Sequence, residues 1–166
     1  MAKSIIINKH GGPEVLELVD AKILPPGPNH IRIKNLAIGL NFIDTYHRTG
    51  LYPVKLPCGL GMEGAGVVLE VGSKVKNFSK GDRVAYASPP LGSYSDERVI
   101  PEKIAVKVPE GVTDKIAASI MTKGLTTYYL LYKTFPVNLM TQFYFMLQQV
   151  EWAKFFVNGL RVLGVK

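Results

Sequence analysis

The sequence predicts a mainly β domain, a barrel or sandwich, that hands over to a helix. Three observations carry this: short β-branched runs recur along the first 110 residues, glycine and proline turns separate them, and near Asp114 the spacing changes to that of helix formers. The first run, "SIIIN" at 4 to 8, is short and β-branched. The second, "IRIKNLAIGL" at 31 to 40, alternates at Ile31 and Ile33 and then turns apolar throughout. The pattern repeats in "GAGVVLEVGS" at 64 to 73, "DRVAYAS" at 82 to 88, "SDERVI" at 95 to 100 and "KIAVKVPE" at 103 to 110. Between the runs stand "GGPE", "PPGPN", "VGSKV", "KGDRV" and "PEGV", in which proline fixes φ and glycine or asparagine accepts positive φ. From Asp114, "DKIAASIMTKGLTTYYLLYKTF" reads as a helix to about Lys133, with Thr113 or Asp114 as its cap.

The 166 residues suffice for one domain, or for one domain and part of a second. The chain is 47% hydrophobic and 20% charged, a globular composition, and no window approaches the roughly 18 uninterrupted apolar residues of a membrane span. The start "MAKSIIINKHGGPE" has too short an apolar run for a secretory leader, so a cytoplasmic protein is expected. The single cysteine, Cys58, excludes an internal disulfide and a multi-thiolate zinc site. A net charge of +7 suits an anionic partner, yet the lysines are scattered and no basic run occurs, so nucleic acid is not expected as a partner.

Chemistry concentrates in residues 37 to 68, "AIGLNFIDTYHRTGLYPVKLPCGLGMEGAGVV". Asn41, Asp44, Tyr46, Arg48 and Tyr52 place five hydrogen-bonding side chains within twelve residues of a connection that begins where an apolar strand ends. Tyrosine faces grip a planar ligand, while an amide and a guanidinium fix its oxygens. The bland reading of the same residues is a short helix with an Asp44–Arg48 ion pair at i, i+4 and its tyrosines in the core. His47, between two of these residues, reads as a surface side chain, and Glu63 as a glutamate bonding a turn of the sheet.

The segments "HGGPEVL", "GLNFIDTYHRTGLYP", "GLGMEGAGVV", "VGSKVKNFSKGDRVAYA", "GSYSDERVI" and "KGLTTYYLLYKTF" resemble the NADPH-dependent quinone oxidoreductases, the zeta-crystallin-like branch of the medium-chain dehydrogenase/reductases. The resemblance covers residues 1 to about 137. It implies a GroES-like β-barrel over 1–112, a connecting helix over 113–137 toward a Rossmann domain, reduction of a quinone by NADPH, and a homodimer built through that later domain. It also implies that Asn41, Tyr46 and Thr126 lie on the nicotinamide side of the cofactor, and that Asn41, Asp44, Arg48 and Tyr52 contact the quinone. Zinc-containing relatives place a cysteine near the "GLNFID" loop and a histidine where this chain has Met62 in "GMEGAG". An amide and a thioether are poor replacements for those ligands, so no zinc is expected.

Residues 138–166 depart from the resemblance. Where the family has a strand, a loop like "HAAAGGVG" and a helix like "CQWAKxLG", residues 146 to 152 read "MLQQVEW" without a glycine. Back-translated and read from the last base of Phe145, the stretch from Met146 to Lys166 yields both halves of that missing motif in one register. The expectation is therefore a frameshifted tail that replaces the Rossmann domain, is irregular or helical without a parallel βαβ unit, and leaves a chain poor in activity. The alternative from another class is a binding module whose tail docks a partner or membrane surface as an amphipathic helix. Glu151, Lys154, Arg161 and Lys166 give that tail no clean polar face.

Overall fold

The computed structural model describes residues 1 to 134. The expected tail over 138–166 lies outside these residues. One compact unit comprises Met1–Ser119, and a second begins at Ile120.

The described residues form eight strands and two α-helices. Strand β1 (Ala2–Ile7) pairs antiparallel with β2 (Glu17–Ala21) on one side and with the two-residue β4 (Cys58–Gly59) on the other. The second sheet runs in the order β7 (Glu97–Pro101), β3 (His30–Gly39), β5 (Glu63–Val71), β6 (Arg83–Ala87), β8 (Ala105–Lys107), again antiparallel throughout. The sheets adjoin at a bridge between Ser4 and Ser95, where Ile5 N–H donates to Tyr94 O at 2.8 Å and Asp96 N–H to Lys3 O at 2.9 Å.

Alternation builds the core. Ile31 and Ile33 of β3 point inward with Val68, Val84, Tyr86 and Ile100, and Phe78 and Ala105 join them. A second cluster of Ile7, Val15 and Leu60 fills the space beneath β1. Tyr86, wholly buried, satisfies its hydroxyl on Asn35 Oδ1 at 2.9 Å, and Asn35 Nδ2 donates onward to the carbonyls of Ser93 and Ser95. A register shift between Asn35 and Ala37 turns the end of β3, beyond which Leu40 and Phe42 stand exposed.

Several elements differ from the sequence expectation. Strands β2 and β4 were not anticipated: β2 is a largely exposed edge carrying Glu17 and Asp20, and β4 is too short to leave a pattern. Residues 103 to 110 give only the three-residue β8, preceded by a 3-10 turn over Glu102–Ile104. The connection after β3 is helix α1 (Phe42–Thr49), the short helix of the bland reading. Helix α2 runs from Asp114 to Tyr129 and passes into a wider π turn over Leu130–Thr134. Its start is fixed by Thr113 Oγ1, which accepts Ile116 N–H at 3.3 Å, and by Arg83, whose Nη2 reaches Asp114 Oδ1 at 2.7 Å.

Candidate functional site

The polar residues predicted around position 45 gather on α1 and the turn after it. Asn41, with φ −132° and ψ 152°, is the N-cap, and Asp44 at N3 reaches back to accept Asn41 N–H at 3.0 Å. The helix stops at Gly50, whose φ of 85° lies in the left-handed region. Two residues whose types suggested ligand contacts, Asn41 and Asp44, are thus also the signals that start a helix.

Each side chain then has a definite place. Asp44 is only 3% exposed, and its Oδ2 also accepts the hydroxyl of Tyr94 at 2.8 Å. Burial, and then the neighbouring Asp44 carboxylate, push the Tyr94 hydroxyl well above its ordinary pKa, so it stays a donor. Arg48 turns its Nε to Gly11 O at 3.2 Å while Gly11 N–H donates to Arg48 O at 3.1 Å, which fastens the helix to the "HGG" turn. Asp44 and Arg48 therefore serve different partners rather than each other, and the helix of the bland reading exists without its ion pair. Asn41 Nδ2 donates to Glu63 Oε2 at 2.7 Å, and Glu63 is wholly buried at the start of β5.

The tyrosines do not enter the core. Tyr46 and Tyr52 are 36% and 49% exposed and meet edge to face, with ring centroids 5.4 Å apart and planes at 65°. His47, expected at the surface, is instead 9% exposed and packs edge-on against Tyr52 at 6.1 Å. It lies on the inward face of the amphipathic helix with Asp44. Tyr46 and Tyr52 thus form an exposed aromatic pair toward one end of α1, and Asn41 an anchored amide at the other. Thr126 lies on α2 in the second unit, where its hydroxyl donates to Thr122 O at 2.8 Å. A groove of about 470 Å³ lined by Lys22, Leu24, His30 and Arg98 shares no residue with α1. Among the described residues no three His, Cys, Asp or Glu side chains gather as a metal site, and no helix is long and apolar enough to cross a membrane.

Sequence reasoning missed Tyr94 and underrated Glu63. Both partners lie far along the chain, 50 and 22 residues from the groups they bond, and no local spacing announces such pairs.

Residues 27–110 match the alcohol dehydrogenase GroES-like domain. The chain belongs to that family. Over 139 residues it is 56% identical to a quinone oxidoreductase of Pseudomonas aeruginosa, covering 83% of this chain and 43% of that protein. It is 43% identical over 144 residues to a 2-haloacrylate reductase of a Burkholderia species, covering 83% of this chain and 43% of that protein. The crystal structure of Escherichia coli quinone oxidoreductase complexed with NADPH superposes with a TM-score of 0.95 at 44% identity, over 99% of this chain and 51% of that one. These relatives are named as oxidoreductases, and the chain spans about half the length of the curated relatives it matches.

Proposed function

We propose that residues 41 to 52 form the nicotinamide- and quinone-facing rim of an NADPH-dependent quinone reductase. The observation that carries this is the exposed, edge-to-face Tyr46–Tyr52 pair at the end of the helix that the anchored Asn41 begins. Two part-exposed tyrosine rings, one on α1 and one just after it, suit flat rings, and the names of the relatives supply the ring chemistry. The residues present fit one end of the cofactor: Tyr46 offers a face to nicotinamide, and Asn41 a polar group at its edge. NADPH, when bound, supplies the hydride.

The chain's own part is to bind and orient. Tyr46 and Asn41 hold the nicotinamide side, Tyr52 and Arg48 border the quinone, and Asp44, turned inward, keeps α1 in place. Thr126 belongs to the cofactor side on the strength of the resemblance alone. The reading is zinc-independent: Asn41 gives its amide to Glu63, and neither that amide nor the neighbouring Met62 thioether suits a catalytic zinc.

Titration of NADPH into the 166-residue protein, followed by cofactor fluorescence and by the amide spectrum, tests this. Weak binding that perturbs residues 41 to 52 is expected, with Tyr46→Ala weakening it and Tyr52→Ala acting mainly on a simple benzoquinone. If neither substitution alters either ligand, the rim is misassigned.

A further inference from the structure

Asn41 is anchored by a buried carboxyl group. Its Nδ2–H donates to Glu63 Oε2 at 2.7 Å, and a hydrogen bond accepted by a carboxylate is roughly twice as strong as one between neutral groups. A primary amide is planar and its two ends have opposite hydrogen-bonding sense, so fixing the nitrogen also fixes the oxygen. The backbone is shaped to admit the acid. Gly39 of β3 lies opposite Glu63 in register, and a Cβ there would come within 2.6 Å of Glu63 Oε2 and collide with the carbonyl of Ala118. A carboxylate withdrawn completely from water is costly unless its oxygens are bonded, which makes it a poor choice as mere filler.

We propose that Glu63 is a positioning residue: through its bond to Asn41 it sets which end of the amide meets a ring bound on Tyr46 and Tyr52. The proposal rests on the assignment of that rim to the nicotinamide, and it adds a residue that itself touches no ligand. A neutral glutamine at 63 presents an N–H as readily as an oxygen, so the amide of Asn41 loses its single orientation.

A double-substitution cycle on the ¹⁵N-labelled 166-residue protein decides the matter, with NADPH titrated and the Asn41 side-chain amide, assigned by its loss in Asn41→Ala, as the reporter. Glu63→Gln and Asn41→Ala are each expected to weaken NADPH about tenfold, and the double variant no more than either alone. Independent, multiplying losses, or an unchanged affinity in Glu63→Gln, overturn the proposal. Without ligand, the Asn41 side-chain resonances should move in Glu63→Gln, and resonances that stay in place overturn it as well. A wild-type protein in which NADPH shifts nothing between 41 and 52 overturns the rim assignment instead, while the ligand-free comparison still decides whether Glu63 fixes the amide. Asn41→Asp gives an arm that leaves Glu63 untouched. Two carboxylates at hydrogen-bonding distance repel, so it should weaken NADPH more than Asn41→Ala does, and equal losses count against the proposal.

Discussion

Tyr94 shows how much one hydroxyl can hold. It donates to Asp44 Oδ2, a carboxylate whose other oxygen, Oδ1, is already buried without a partner. Removing the hydroxyl leaves Oδ2 with Asn41 N–H, so Tyr94→Phe should destabilise the domain by about 1–3 kcal/mol in urea unfolding. Asp82 gives a prediction of a different kind. Its carboxylate accepts Lys107 Nζ at 2.9 Å and Ser79 N–H at 3.0 Å, and these two contacts, the lysine first, hold its pKa below the ordinary 3.8. A carboxylate with a lowered folded pKa stabilises the fold above the unfolded value, and that contribution disappears as pH falls through the lowered one. Asp82→Asn should therefore flatten the loss of melting temperature between about pH 5 and pH 2. Lys107 is largely solvated, so the change should be small.

At the scale of elements, glycine placement separates what can vary from what cannot. Gly50 closes α1 at a φ of 85°, and a Cβ there would also meet the His10 ring at 2.9 Å. Gly50→Ala should cost about 1 kcal/mol or more, read as a lower melting temperature. Gly66 has no such φ, but a Cβ there would collide with the carbonyl of Lys34 on the neighbouring β3, so Gly66→Ala should force β3 and β5 apart and cost more than Gly50→Ala. The central strands were legible because burial leaves a mark: Ile31, Ile33 and Val68 alternate with less buried neighbours, and Val84 opens a buried run. Edge strand β2 escaped because its side chains are mostly exposed and its register comes from β1, not from its own pattern. Helix α1 was legible only as one of two readings, for a chemical reason. Asparagine and aspartate are the residues of both ligand sites and helix caps, and Asn41 and Asp44 gave no local sign of which task they had.

Across the whole molecule, the apolar surface is uneven. Leu36 and Ile38 on the outer face of β3 are 52% and 44% exposed, and Leu40 and Phe42 beyond them are 74% and 77% exposed. Exposed apolar surface of this kind binds hydrophobic dyes. The double substitution Leu40→Lys and Phe42→Lys should reduce the fluorescence of a bound naphthalene sulfonate while leaving the Tyr94–Asp44 tie, and with it the melting temperature, nearly unchanged. An unaltered dye signal would place the accessible apolar surface elsewhere.

The three ties of α1 also bear on how the domain assembles. An eight-residue helix does not persist in water without outside support. Its support comes from Gly11, Glu63 and Tyr94 across sequence separations of 37, 22 and 50 residues, and loop closures of that length are late events in folding. The rim is thus among the last features a growing chain acquires. Until the strand bearing Glu63 and the turn bearing Tyr94 have been made and paired, residues 41 to 52 remain open to proteases, and their protection from cleavage reports that the sheets have closed.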